Sequence, residues 1–145
     1  MSSTTAFVIL AFSRHSTVGA ILPSSSRLAD AMARAAVGAQ ELIELGAGTG
    51  AITAALCRCH PGVPILAVEM EGELAHCLRE RFPMIEVRAG AAHEVLCESQ
   101  RGAVAAVLIS SLPFRSLPPR LRIRSSMAIE RFLIERPASR LVQYT

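Results

Sequence analysis

The stretch Glu41-Leu42-Ile43-Glu44-Leu45-Gly46-Ala47-Gly48-Thr49-Gly50 decides how this chain reads. A short apolar run ends in an acid and opens into a loop with glycine at three alternate positions. A helix-compatible apolar segment, residues 51–56, follows. The order predicts a strand, a tight turn and a helix N-terminus. Glycine is required where φ is positive or where a side chain would keep the backbone away from a ligand. The helix start adds free N–H groups and a partial positive charge. Such a loop suits the polar part of a nucleotide-like cofactor.

Two loop patterns fit. Gly46, Gly48 and Ala51 satisfy the dinucleotide fingerprint G-x-G-x-x-G/A. Glu44, Gly46, Gly48 and Gly50 satisfy E/D-x-G-x-G-x-G. Downstream, residues 63–68 read as a second strand ending in Glu69, 19 residues after Gly50. An acid at that strand end reaches ribose hydroxyls in a βαβ unit, and a carboxylate accepts two hydrogen bonds from a diol. Glu71 and Glu73 instead suit the first turn of the next helix.

The chain has 145 residues, enough for one domain with a real core. Residues 1–23 read as an N-terminal segment and 24–145 as the domain. No apolar run approaches the roughly 20 residues that span a bilayer. Residues 6–12 are apolar but lack a basic leader, so the expected compartment is the cytoplasm. The same segment either packs on the domain as a helix or strand, the favoured reading, or touches a membrane. The four cysteines form no metal-ligand pairs at helical spacing and read as small, mostly buried thiols.

All 15 basic residues are arginine. Residues 1–100 hold 7 arginines and 10 acids; residues 101–145 hold 8 arginines and 2 acids. The basic third reads either as a solvated helix face or as a surface for phosphate on lipid or nucleic acid.

Elsewhere strands and helices alternate. Helices are expected over 24–37, 51–59, 72–81, 93–98 and from Pro118-Pro119 to 136, and strands over 41–45, 63–68, 84–87, 103–110 and 141–144. Alternation argues for a parallel, doubly wound, Rossmann-like α/β sheet. Ligands then bind beyond the strand carboxyl ends, where the first and fourth strands diverge.

The Glu44–Gly50 pattern resembles motif I of the class I S-adenosylmethionine-dependent methyltransferases. The resemblance implies that Gly46, Ala47, Gly48, Thr49 and Gly50 wrap the amino-acid part of S-adenosylmethionine, with Glu44 close by. Glu69, Met70, Ala91 and Ser110 would complete the cofactor site. After the fourth strand, Ser110-Ser111-Leu112-Pro113-Phe114 resembles the N-L-P-Y or D-P-P-Y motif of amino-methylating members. There the Asn or Asp and a backbone carbonyl hold the amine and the aromatic stacks on a base; Ser111 stands in place of the Asn. Ser111, Leu112, Pro113 and Phe114 are the implied catalytic group.

Four segments (18–25, 44–50, 111–119 and 136–145) are similar to bacterial phospholipid N-methyltransferases, which methylate phosphatidylethanolamine. This implies an N-methyltransferase acting on a lipid amine, at the cytoplasmic membrane surface. The related ribosomal RNA adenine dimethylases make RNA the second acceptor to weigh, and a non-catalytic remnant is the third reading. Two departures stand out. Residues 90–92 hold no carboxylate where many members carry one for the adenine amine. The sequence stops at Thr145, whereas the fold usually continues with two further strands. The fifth strand is therefore expected to be an apolar edge open to pairing with another chain. As proton acceptors the sequence offers Tyr144, the carbonyls of residues 110–112, His15 and His93.

Overall fold

A computed structural model describes residues 6–10, 23–99 and 104–144. Strand β1 (Ala6–Leu10) precedes helix α1 (Pro23–Ala35). Then β2 (Glu41–Leu45), α2 (Ala51–Cys59), β3 (Ile65–Glu69), α3 (Gly72–Arg81), β4 (Glu86–Ala89), α4 (Ala92–Glu98), β5 (Ala106–Ser110), α5 (Pro119–Glu135) and β6 (Arg140–Tyr144) alternate. All pair in parallel in one sheet of order β1-β6-β5-β2-β3-β4. From β2 outward this is the expected doubly wound order, and the sheet switches direction between β2 and β5.

The central strands β2, β3 and β5 are buried on both faces, as parallel strands flanked by helices must be. On one face Ile43, Leu45, Leu66, Val68, Leu108 and Leu141 pack with α4 and α5. On the other, Leu42, Ile65, Val107, Ile109 and Val142 pack with α1 and α2. The period-2 alternation of a strand sends neighbours to opposite faces. A smaller cluster seats α3 through Ala75, Leu78 and Phe82 against Ala67 and Val87.

Several strands begin later than periodicity suggests, each for a local reason. Pro64 lacks an N–H, so β3 starts after it, although its carbonyl accepts from Leu42 N at 2.9 Å. Met84 is exposed in the turn before β4. Residue 105 is held by Gln40, whose side-chain oxygen accepts from Ala105 N at 3.3 Å, and β5 begins at Ala106, whose N–H donates to Ser139 Oγ at 3.0 Å.

Two expectations are corrected. The last strand, β6, is not an edge: β1 pairs along it from Ala6↔Arg140 to Leu10↔Tyr144. The segment read as a separate N-terminal piece thus contributes a strand to the same sheet. The cysteines are not mostly buried. Cys59, Cys77 and Cys97 are exposed because each falls on the outward side of its helix, and only Cys57 is half-buried. Residues 18–22, with the resemblance they carried, lie outside the described residues. Among the described residues no helix is long and apolar enough to cross a membrane.

Candidate functional site

The strand carboxyl ends converge on a cavity of about 290 Å³. That is near the lower end for small-molecule pockets, roughly 300 Å³. One half is lined by Gly46 and Gly48 after β2, Val68, Glu69 and Met70 at the end of β3, Leu74 on α3, and Gly90, Ala91 and Ala92 after β4. The other half is Ser111, Leu112, Pro113, Leu117, Leu121 and Ser125. Among the described residues, Glu69 is the one titratable side chain in this lining.

The glycine loop is built as its residue types require. Gly46, Gly48 and Gly50 have φ of 78°, 56° and 90°, a region L-residues with a Cβ avoid. A Cβ on Gly46 would stand 3.1 Å from Leu112 Cδ2, so this glycine lets the two halves of the site close on one another. Gly46 N and Ala47 N donate to Val68 O at 2.9 and 3.1 Å.

Glu69, 8% exposed, fastens the loop. Its Oε2 accepts from Gly48 N at 2.7 Å and its Oε1 from Glu71 N at 2.9 Å. Each carboxylate oxygen keeps a further lone pair for a ligand. The carboxylate therefore both shapes the loop and faces the cavity.

Ser111 joins the halves. Its hydroxyl donates to Gly46 O at 2.7 Å and its N–H to Leu45 O at 3.2 Å. A serine hydroxyl has one proton. With that proton on Gly46, Ser111 offers a ligand in the cavity only its lone pairs. Ser110 is fully buried beneath, its Oγ accepting from Leu112 N at 3.4 Å.

Of the residues expected at the site, Gly46, Gly48, Glu69, Met70, Ala91, Ser111, Leu112 and Pro113 line the cavity; the remaining six do not. Glu44 is fully buried and accepts Thr53 Oγ1 at 2.6 Å, leaving Oε1 without a partner. Burial pushes its carboxyl up to about 8, opposed by the Thr53 hydrogen bond and helped by the charge of Glu69. Glu44 thus stands under the loop as a largely neutral acid at pH 7. Ala47 is buried with α3, and Thr49 is exposed, its carbonyl accepting from Arg81 at 2.6 Å. Gly50 caps α2 against Leu78 and Phe82. Phe114 packs on the α4–α5 core rather than presenting its ring to the cavity. A tight turn, Phe114 N to Leu112 O at 2.8 Å, makes that redirection.

Among the candidate proton acceptors, His93 sits beside Ala92, outside the lining, its Nδ1 buried and without a hydrogen-bond partner. His15 and the Tyr144 side chain lie outside the described residues. The motif reading passed over Leu117, Leu121 and Ser125. For Leu121 and Ser125 the spacing of four was the available signal, since it puts them on one side of a helix; Leu117 lies just before α5 and had no such signal. Ser125 is 4% exposed, a buried hydroxyl at the cavity wall.

No protein-family model matches the chain. It is 33% identical over 122 residues to an ornithine lipid N-methyltransferase of Singulisphaera acidiphila, covering 77% of this chain and 62% of that protein. It is 39% identical over 59 residues to an uncharacterized methyltransferase-like protein of Schizosaccharomyces pombe, covering 41% of this chain and 23% of that one. The chain thus spans less than two thirds of the curated relatives it matches. Among solved structures, an S-adenosylmethionine-bound amino pentose methyltransferase from Micromonospora echinaspora superposes with a TM-score of 0.55 at 18% identity, over 75% of this chain and 44% of that one. The fold is that of the class I methyltransferases, and in sequence the chain is similar to proteins named as methyltransferases or methyltransferase-like.

Proposed function

We propose that this domain is an S-adenosylmethionine-dependent N-methyltransferase that methylates the amine of a lipid of the phosphatidylethanolamine or amino-lipid type. The observation that carries the reading is the Ser111 hydroxyl, its proton committed to Gly46 O at 2.7 Å and its lone pairs left for an amine N–H. The sequence similarity to an ornithine lipid N-methyltransferase supports the same class of acceptor.

The residues fit the cofactor. Gly46 and Gly48 give the close backbone approach, Glu69 offers lone pairs to a diol, and Ala91, Ala92, Leu74 and Met70 give an apolar surround for a base. Bound there, S-adenosylmethionine would supply a methyl group on a sulfonium already reactive toward amines. What remains for the protein is alignment and dryness. Ser111 orients the acceptor nitrogen, while Leu112, Pro113, Leu117 and Leu121 exclude water around it. The nitrogen attacks as the neutral amine. Among the described residues Glu69 is the sole titratable group of the lining, and the ammonium proton leaves to solvent as the acceptor enters.

An RNA adenine acceptor is less well served. A base needs an aromatic platform, and Phe114 packs on the core while the described residues of the lining include no aromatic ring.

The test is calorimetric titration of S-adenosylmethionine into the purified chain and into Glu69→Ala, followed by transfer of labelled methyl to amino-lipid vesicles or to RNA. Binding weakened about tenfold or more by Glu69→Ala, the scale for a lost hydrogen bond to a charged group, with label in lipid, supports the reading. Label only in RNA overturns the acceptor. A folded chain that binds no cofactor overturns the activity.

A further inference from the structure

Helix α5 has two working sides. One lines the cavity through Leu121 and Ser125 and the core through Ile129, Phe132 and Leu133. On the other, Ile123, Met127 and Ile134 are 56%, 63% and 68% exposed. At 100° per residue these three fall within a narrow arc about opposite the buried side. The first and last lie 11 positions apart, or about 17 Å of helix. Three large apolar side chains in line on the solvent side are unusual for a surface helix, whose outward face is ordinarily polar.

Arginines flank this stripe. Arg120, Arg124 and Arg131 lie along one edge of the arc. Arg131 bonds Glu135 at 2.9 Å, whereas Arg120 and Arg124 are exposed with no carboxylate partner among the described residues. Residues 115–124 hold four arginines and no acid. The basic excess of the last third is therefore not all structural. Arg136 is spent on Glu41 at 3.0 Å and Arg140 on the Ala35 carbonyl at 3.2 Å, while Arg115, Arg120, Arg122 and Arg124 face solvent.

We infer that the outer face of α5 is a membrane-docking surface, on which Ile123, Met127 and Ile134 enter the headgroup region of an anionic lipid surface while Arg120 and Arg124 pair with its phosphates. The choice of a lipid occupant rests on the lipid-amine reading of the cavity and on the pairing of aliphatic and cationic groups. An interfacial helix needs both, an apolar stripe for the acyl boundary and positive charge for anionic headgroups. RNA would use the arginines but has no complement for an aliphatic stripe, and this face offers no aromatic ring for base stacking. The surface also serves the site. Pro113 and Leu117 line the cavity just before α5 begins, beside Arg115 and Arg120. A headgroup held at the arginine edge reaches the cavity around that end of the helix, whose diameter is about 10 Å.

The experiment is sedimentation of the full chain with phosphatidylcholine vesicles, with and without phosphatidylglycerol. The variants are Ile123→Ser/Met127→Ser/Ile134→Ser and Arg120→Glu/Arg124→Glu, all at exposed positions. The chain should bind the anionic vesicles in a salt-sensitive way, and each variant should lose about tenfold or more in partition. Circular dichroism and S-adenosylmethionine affinity should match the parent, so that lost docking is not misfolding. Equal binding by parent and variants, or no preference for anionic vesicles, overturns the inference. So does RNA binding that only the arginine variant abolishes, or a self-association that the serine variant dissolves. Vesicle binding needs neither cofactor nor turnover: docking without methyl transfer would sink the activity and leave this surface standing, and transfer to detergent-dispersed lipid without docking would do the reverse.

Discussion

At the scale of single residues, the two acids of the loop region share a chemistry and differ in role because their surroundings differ. Glu69 keeps a cavity face and two N–H donors. Glu44 is sealed beneath the loop with one hydroxyl donor and an unpartnered oxygen. Burial raises the Glu44 carboxyl to about 8 from an ordinary 4.5. An acid whose folded-state value lies above its unfolded value takes up a proton on folding between the two. Its linkage therefore makes stability fall as pH rises from about 4.5 to about 8. Glu44→Gln keeps the shape and a partner for Thr53 but removes the titration. The variant should be the more stable at pH 8, by an amount on the order of a few kcal/mol, since each pH unit between the two values is worth about 1.4 kcal/mol. The gap should close toward pH 5. Urea unfolding at both pH values measures it, and parallel profiles for parent and variant would refute the buried, neutral state of Glu44.

At the scale of elements, much of the fold was legible, because the signals were local. The bounds of β2, α2 and α3 follow from Glu41–Leu45, from the glycines before Ala51, and from Gly72 and Pro83. That Gly46, Gly48 and Glu69 come together at the strand ends was legible too, since glycine spacing and an acid at a strand end are sequence-local. What escaped depends on how chain segments meet. That Ser111 spends its proton on Gly46, 65 residues away, is invisible in a motif. Nor does the motif tell which way Phe114 turns. Gly50 shows how a local signal can carry a second meaning. Its φ of 90° reads as loop geometry, yet a Cβ there would stand 2.9 Å from both Leu78 and Phe82. Both are buried and cannot swing aside, so the glycine also sets how closely α3 approaches the start of α2. Gly50→Ala should cost the left-handed penalty of about 1–2 kcal/mol and a comparable overpacking cost of about 1–3 kcal/mol. The urea midpoint should fall accordingly; an unchanged midpoint would mean that α3 is not seated through this contact.

At the scale of the whole molecule, the sheet is continued by the chain's own beginning. β1 lies on β6, bringing residues 6–10 beside residues 140–144, a pairing no local pattern reveals and one that loop closure makes slow to form. Its consequence is separable from the site. The cavity lies at the ends of β2 and β5, three and two strand spacings from β1, or roughly 14 and 10 Å at 4.8 Å each. Removal of residues 1–10 should expose the β6 edge, with Val142 and its neighbours behind it. The five-residue pairing contributes about 1–3 kcal/mol after its ordering entropy is counted, so thermal unfolding should begin earlier. An open strand edge invites pairing between copies, so the shortened chain should associate with rising concentration in analytical ultracentrifugation, while its affinity for S-adenosylmethionine stays within about twofold of the parent, a difference below 1 kcal/mol. If the shortened chain stayed monomeric with unchanged stability, β1 would not be what closes the sheet. If cofactor affinity fell along with stability, the sheet edge and the site would be one cooperative unit.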